Sequence, residues 1–266
     1  MKDIQQEHDT RNIQIDRVGV KGVSYPVSVM QHENNCTQDT IASVSMSVML
    51  PHEYRGTHMS RFIETLEEYH GKISPCTLEK ISARLCEKLD APESSIKFEF
   101  PYYIKKNAPV TNKPSYSRYE IALEGIYKRK ISDSASDFDL IITIGANVQT
   151  LCPCSKEISK YGAHNQRAFV NLKVRCKNLV WFEELISMIE NSASSPLYTL
   201  LKRADEKFVT EHAYENPRFV EDVLRELALR LNSDERITWY KINVTSFESI
   251  HNHDAFAEIE RSKLKS

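Results

Sequence analysis

Strict alternation of apolar and polar residues is the feature of this sequence that most limits its possible folds. From Phe138 to Val148 every second residue is apolar, which predicts a strand with one buried face. Comparable runs predict further strands around residues 13–30, 44–50, 96–100, 119–123, 170–176, 240–244 and 255–259. So many half-buried strands require other elements to cover one face of the sheet that they form.

Apolar residues at helical spacing predict four helices between these strands. Thr57 is the expected N-cap of the first helix and Gly71 its stop, and the second helix begins near Pro75. A third helix follows the strand at 170–176. The fourth is expected to begin at Asn216, a cap followed by proline. The order β-β-α-α-β-β therefore occurs twice.

The polar, Ser-rich segment 128–137 has no periodicity and predicts a connection between two halves. We expect one unit over residues 1–130 and a second over 131–266, each with an antiparallel sheet and its helices on one face. Edge strands of such sheets need pairing, which favours self-association.

Composition excludes several classes of protein. Of the 266 residues 27% are charged and the net charge is −2, so no strong field favours nucleic acid or a membrane surface. We find no apolar run near the ~20 residues that span a bilayer and no apolar signal core at the N-terminus. We therefore expect a cytoplasmic protein whose six cysteines are thiols.

The segment LCPCSKEISKYGAHNQR, residues 151–167, carries the strongest chemical signal. Cys152 and Cys154 directly follow a predicted strand, and His164 returns on the next loop. Thiolate and imidazole are ligands of borderline-soft divalent metals, so the segment predicts a metal site. The alternatives are two inert cysteines or a local redox pair, although CxC is not the CxxC spacing of redox motifs.

Two other stretches of the second half concentrate polar residues. In residues 200–222, Glu206 is either an oxygen ligand for the metal or a solvated loop acid, and Glu221 falls in a first helical turn, where the dipole favours a carboxylate. In the turn at 247–260, Glu248 and His251 are either acid–base groups or exposed turn residues. A metal-activated water beside acid–base groups is suited to hydrolysis of a C–N bond.

The sequence resembles the type IB GTP cyclohydrolases. The resemblance is carried by CPCSKEISKYGAHNQR, LLKRADEKFVTEHAYENPRFVED and FESIHNHDAFA, with support from GTHMSRF at 56–62 and IDRVGVKGVSYPV at 15–27. It implies an α+β architecture of the tunnelling fold (T-fold), with two tandem β-β-α-α-β-β units and antiparallel sheets. It also implies a barrel-like homotetramer with active sites between subunits.

The resemblance further implies a metal site and its ligands. Cys152, His164 and Glu206 resemble the family's ligands. Cys154 is implied to be catalytic beside them, or to serve as an alternative ligand. This mixed set of sulfur, nitrogen and oxygen does not select one ion, so Zn²⁺, Mn²⁺ and Fe²⁺ all remain candidates.

The implied reaction converts GTP and water into 7,8-dihydroneopterin triphosphate and formate, the entry to folate synthesis. Glu221 resembles the carboxylate that anchors the guanine ring, and Glu248 and His251 resemble the groups that move protons. Two carboxylate oxygens match the guanine N1–H and 2-amino donors.

The triphosphate needs cations or backbone N–H groups. Arg61 and His58 lie at the start of the first predicted helix, whose N-terminus attracts phosphate, and Lys156 follows the CxC motif. These three are candidates for triphosphate contacts. The alternative for Arg61 is a solvated helix charge.

Two other functions are compatible with this fold. A T-fold nitrile reductase would use Cys152 or Cys154 as a nucleophile with a nicotinamide cofactor, but it would not need the His and Glu ligands. A non-catalytic tetramer would bind nucleotides without releasing formate.

Overall fold

The computed structural model describes residues 5, 7–32, 36–129 and 137–263, which form ten strands and six helices. In chain order these elements are β1 (Ile15–Met30), β2 (Thr37–Leu50), α1 (Met59–Glu67), β3 (Lys72–Ile73), α2 (Pro75–Leu89), β4 (Glu93–Asn107), β5 (Pro114–Lys128), β6 (Asp137–Leu151), α3 (Pro153–Ile158), β7 (Asn165–Cys176), α4 (Phe182–Glu190), β8 (Ser195–Pro196), α5 (Arg203–Glu215), α6 (Val220–Ser233), β9 (Ile237–Ser246) and β10 (Ala255–Ser262).

The strands form one mixed sheet in the order β10-β9-β7-β6-β5-β4-β2-β1-β3, with β8 paired to β6 outside this order. The fold class predicted from the sequence, two tandem units with antiparallel sheets, is therefore wrong. The sheet is mixed because β3 pairs with β1 in the parallel direction. Gly71, at a φ of 69°, turns the chain into β3 and accepts a hydrogen bond from Ser28 N–H at 2.9 Å. A Cβ atom at Gly71 would lie 2.4 Å from the Pro26 carbonyl oxygen, so glycine is required there.

The predicted β-β-α-α-β-β order is also incomplete, because β3, α3, β8 and α5 are additional elements. The polar stretch that contains α5 gave no helical signal, since Asp205 and Ala213 are the buried residues of that helix and no apolar stripe exists. Asn216 does not begin α6 but ends α5, where its side-chain amide donates to the Ala193 carbonyl oxygen at 3.0 Å. Helix α6 begins after Phe219, whose N–H is accepted by Asp222.

Contacts divide the chain into two compact units, Met1–Pro101 with Ala122–Ile141, and Tyr102–Ile121 with Ile142–Ser266. Strands β4, β5 and β6 each contribute residues to both units. The connection predicted at 128–137 falls largely on 130–136, outside the described residues, so the division at 130/131 stays a prediction.

The core of the second unit lies on one face of β6, β7 and β9. Alternate residues of these strands are buried, as the sequence pattern predicted, and α6 packs its apolar stripe against β9 and β10. Each fully buried Val, Leu or Ile side chain contributes about 1.5–3 kcal/mol. The buried residues of these elements include Ile144, Ala146, Val148, Val170, Leu172, Val174, Ile242, Val244, Val223, Leu227 and Leu231.

None of the helices in the described ranges is both long and apolar enough to cross a membrane.

Candidate active site

A cavity of about 310 Å³ lies in the second unit, where the core face of the sheet ends. This volume is at the lower end of the range of ligand pockets, roughly 300–1,000 Å³. The cavity is lined by Thr150, Cys152, His164, Gln166, Arg218, Phe219, Val220, Glu221, Ser246, Glu248, His251, His253, Ala255 and Phe256. Five of the residues singled out from the sequence are among them: Cys152, His164, Glu221, Glu248 and His251.

The floor of the cavity continues the alternation of the core strands. Thr150 stands two residues after Val148 on β6, and Ser246 two residues after Val244 on β9, so both hydroxyl groups share the face of the buried apolar residues. Gln166 of β7 pairs directly with Thr150 in the ladder between β6 and β7. The final layer of this core face is therefore polar.

The loop between β6 and β7 is closed at its base by the two predicted metal ligands. Cys152 N–H donates to the His164 carbonyl oxygen at 3.1 Å. Cys152 also caps α3, because its Sγ accepts from Ser155 N–H at 3.4 Å, and Ser155 Oγ accepts from His164 N–H at 3.2 Å. Cys152 and His164 are thus held side by side although they are separated by a loop.

A hydrogen-bond chain connects the imidazole to a carboxylate. His164 Nδ1 lies 2.9 Å from Gln166 Oε1, and Gln166 Nε2 donates to Glu248 Oε1 at 3.2 Å. Ser246 Oγ donates to the same Glu248 oxygen at 2.8 Å. The Gln166 amide therefore connects the predicted metal ligand, His164, to the predicted proton-transfer group, Glu248.

Glu221 lies in the first turn of α6, as the sequence predicted. The N-terminus of this helix is fixed from two sides: Asp222 accepts from Phe219 N–H at 3.0 Å, and Arg218 N–H donates to the Leu151 carbonyl oxygen at 3.0 Å. A negative charge at this position interacts favourably with the helix dipole.

The turn at residues 247–254 joins β9 to β10, also as predicted. It brings His251 to the cavity, where its ring stacks on that of His253 with centroids 5.2 Å apart. Both histidines are exposed. Their rings are therefore accessible to solvent as well as to a ligand in the cavity.

Three of the other predicted residues of this unit are not among the lining residues. Cys154 is exposed on α3, and Glu206 is exposed on α5. Lys156 Nζ donates to the Tyr214 carbonyl oxygen at 2.5 Å and lies 4.5 Å from the Tyr214 ring centroid. Lys156 therefore contacts α5.

The other two triphosphate candidates belong to the first unit. His58 is the N-cap residue of α1, one residue later than the predicted Thr57. Arg61 lies in the first turn of α1, and its Nη1 donates to the Lys88 carbonyl oxygen at 2.9 Å. Contacts of these residues with a triphosphate stay predictions.

Cys152 and His164 present sulfur and imidazole nitrogen donors to the same cavity, which suits a borderline-soft divalent ion. No three His, Cys, Asp or Glu side chains of the described residues lie together as a complete metal-binding group. This pair fits two positions of a metal site. The role of Glu206 as a third ligand stays a prediction.

Gln166, Ser246 and Arg218 were not recognised from the sequence. A signal existed for the first two, because polar residues at the end of an alternating apolar run occupy the core face of the strand. Arg218 follows Pro217 in a stretch interpreted as a helix start, so its charge was not considered separately.

The comparisons with known proteins show the family to which the chain belongs. Residues 1–257 match the family model described as type I GTP cyclohydrolase FolE2. A GTP cyclohydrolase FolE2 of Fervidobacterium nodosum is 52% identical over 265 residues, with 100% of this chain and 99% of the relative covered. Those of Thermosipho melanesiensis (51%, 100% of both chains covered) and Pseudothermotoga lettingae (50%, 99% of both) are similarly close.

Solved structures of a different activity share the fold. The uricase of Arthrobacter globiformis superimposes with a TM-score of 0.57 at 9% identity, covering 94% of each chain. The urate oxidase of Bacillus sp. TB-90 gives a TM-score of 0.54 at 9% identity, covering 94% of this chain and 100% of the other. At such identities the likeness concerns the fold alone.

Proposed function

Because the chain belongs to the type I GTP cyclohydrolase FolE2 family, we propose that the cavity between β6, β7, β9 and the start of α6 is its active site. The protein is a GTP cyclohydrolase, a hydrolase of folate biosynthesis, and GTP is its expected substrate. The reaction converts GTP and water into 7,8-dihydroneopterin triphosphate and formate.

One observation carries the assignment of the site. Five residues that the sequence singled out for metal binding, substrate binding and proton transfer line one cavity, although they come from three separate segments of the chain. They are Cys152, His164, Glu221, Glu248 and His251.

Glu221 binds the guanine ring in this proposal. Its two carboxylate oxygens accept hydrogen bonds from the guanine N1–H and the 2-amino group, a paired contact that adenine lacks. The fixed first turn of α6 holds the carboxylate in place, where a negative charge interacts favourably with the helix dipole. Glu221 therefore selects guanine over other purines.

The enzyme is metal-dependent, and we assign Cys152, His164 and Glu206 as the ligands. The first two face one cavity. Glu206 is included because its flanking sequence resembles the family's ligand segment. A bound Zn²⁺, Mn²⁺ or Fe²⁺ would supply Lewis-acid chemistry at the purine ring. Cys154, two residues from Cys152, is a further catalytic candidate.

Glu248 and His251 move protons during opening of the imidazole ring and the later closure. Both described hydrogen bonds to Glu248 reach Oε1, from Ser246 and Gln166, so Oε2 is the oxygen directed to exchange a proton. His251 is exposed at the cavity, where its ring nitrogens are placed to give or accept a proton.

Arg61, His58 and Lys156 remain our candidates for the triphosphate, and a homotetramer remains our candidate assembly. The support for assembly is β10, which is an edge strand of the sheet and exposes Phe256 to 72%. An edge of this kind is completed by pairing with another chain. Light scattering of the purified protein measures the assembly directly.

The decisive experiment supplies purified protein with Mn²⁺ or Zn²⁺ and GTP, and measures formate and pterin fluorescence. We expect both products in equal amounts, and we expect a chelator to abolish both. GTP binding without formate, in the presence of either metal, would contradict the proposal. ATP in place of GTP is the matched control.

A further inference from the structure

We propose that Gln166 is a positioning residue that couples the His164 imidazole to the Glu248 carboxylate. Its amide lies between them, with Oε1 2.9 Å from His164 Nδ1 and Nε2 3.2 Å from Glu248 Oε1. The inference rests on the proposed function, because it assigns a role within the same cavity. It adds a residue to which the sequence motifs gave no role.

The orientation of the amide follows from its partners. An ionised carboxylate only accepts hydrogen bonds, so the amide nitrogen of Gln166 must face Glu248. The amide oxygen therefore faces His164, and Ser249 Oγ donates to that oxygen at 3.4 Å. An amide oxygen also only accepts, so the hydrogen must reside on His164 Nδ1.

This arrangement fixes the tautomer of His164. With the hydrogen held on Nδ1, the lone pair of Nε2 is available for a divalent ion. The same amide keeps Glu248 Oε1 occupied, which directs the remaining oxygen toward a substrate. One side chain thus sets both the metal-binding form of the imidazole and the orientation of the carboxylate.

Gln166 can act in this way because it is itself held. Its Nε2 also lies 3.2 Å from Ser246 Oγ and 3.4 Å from Thr150 Oγ1, and both hydroxyl-bearing residues are only 1% exposed. These two residues belong to the strands on either side of β7. The amide is therefore oriented by the sheet before any ligand binds.

Two substitutions distinguish the contact of Gln166 with His164 from its contact with Glu248. Gln166→Glu keeps an acceptor for His164 Nδ1–H but places a second carboxylate against Glu248. We expect metal affinity within about threefold of wild type and kcat lowered by about 10- to 100-fold. Gln166→Met keeps the size but removes both contacts, so metal affinity and kcat should each fall by about 10- to 100-fold.

The matched control is Gln149→Met, since Gln149 lies on the opposite face of β6, pairs with Arg167 and donates to Asn165 Oδ1 at 3.2 Å. We expect it to keep wild-type metal affinity and kcat. Metal affinity is measured by Co²⁺ absorption titration, independently of turnover, and kcat and KM by formate release.

Wild-type metal affinity and kcat in Gln166→Met would overturn the inference. A raised KM with both quantities unchanged would also overturn it, because Gln166 would then contact substrate without positioning the other two groups. Failure of the wild-type protein to release formate would instead contradict the proposed function. The metal-affinity comparison among the variants would still test the coupling to His164.

Discussion

The carboxylate of Asp205 accepts two hydrogen bonds from Thr111, one from its backbone N–H at 2.8 Å and one from its hydroxyl group at 2.7 Å. The backbone N–H groups of Val110 and Lys202 each donate to it at 2.9 Å. Burial raises the pKa of this carboxyl group, but the hydrogen bonds outweigh burial and hold the pKa well below its usual range. Asp205 therefore fastens the β4–β5 turn to the first turn of α5, the helix that carries Glu206.

Replacing Asp205 by Asn should destabilise the fold, because the amide nitrogen cannot accept the hydrogen bonds that the second carboxylate oxygen receives. We expect the Tm at pH 7 to fall by about 5–10 °C, measured by calorimetry. A carboxyl group whose pKa is lower in the folded state stabilises the fold at pH values above its unfolded-state pKa of about 3.9. This stabilisation is lost as the pH falls below that value. The difference between wild type and variant should therefore shrink below about pH 4.

Glu211→Gln is the control for this substitution, because Glu211 is an exposed carboxylate on the same helix. It should leave Tm nearly unchanged. Equal Tm values for wild type and Asp205→Asn at pH 7 would mean that the four hydrogen bonds add no net stability.

Cys152→Ala should abolish metal binding and formate release together, because it removes the proposed sulfur ligand. Metal content after dialysis is the direct measurement, by atomic absorption. Cys76→Ala, at an exposed cysteine of α2, should behave as wild type. Full metal-dependent turnover in Cys152→Ala would remove Cys152 from the ligand set.

Glu221→Gln should weaken GTP binding while leaving metal content intact. The neutral amide loses one of the two acceptors for guanine and the favourable interaction with the α6 dipole. We expect KM to rise by about 10- to 100-fold, as hydrogen bonds to charged groups contribute roughly 1.5–3 kcal/mol each. Unchanged KM in steady-state kinetics, or loss of the metal, would contradict the assignment of Glu221 to the base.

Lys106→Met should destabilise the second unit, because it leaves the Glu190 carboxylate without its cation. Lys106 Nζ lies 2.8 Å from Glu190 Oε1, with side-chain exposures of 14% and 13%, and the Tyr119 hydroxyl donates to the same oxygen at 2.6 Å. Burial, followed by the Glu190 charge, raises the pKa of Tyr119, so its hydroxyl stays protonated and still donates to Glu190 after the cation is removed. We expect a loss of about 3 kcal/mol in the free energy of unfolding.

The paired variant Lys106→Met/Glu190→Gln tests this explanation. It should lose less stability than the sum of the single variants, because no unpaired charge remains buried. Urea denaturation measures all three. Additive losses would indicate that the ion pair has no specific role.

The sequence predicted the family, the half-buried strands and the turn that carries Glu248 and His251, because each depends on short-range patterns. Membership of the GTP cyclohydrolase family is confirmed by the match over residues 1–257. Helix α5 was missed, since its buried residues include Asp205 where an apolar stripe was sought. Asn216 was assigned to the wrong helix end, because its partner carbonyl oxygens belong to residues 193 and 194.

The sequence did not predict the part of the site that depends on hydrogen-bond partners from several strands. Gln166 is one polar residue among many in its motif, and its role follows from Thr150, Ser246 and Glu248. Nothing local to residue 166 identifies those neighbours. The parallel pairing of β3 with β1 was also not predicted, because it depends on the contact between Gly71 and Ser28, which are distant in sequence.

The pairing of Thr150 with Gln166 makes the geometry of the proposed active site depend on the correct register between β6 and β7. A slip of β7 by one position would turn Gln166 and every neighbour on that strand to the opposite side of the sheet. Such a misfolded species could remain compact and keep its helices, yet its imidazole and carboxylate would no longer be linked. In refolding experiments, recovered turnover per mole of protein would then report the fidelity of strand alignment, which circular dichroism would not detect.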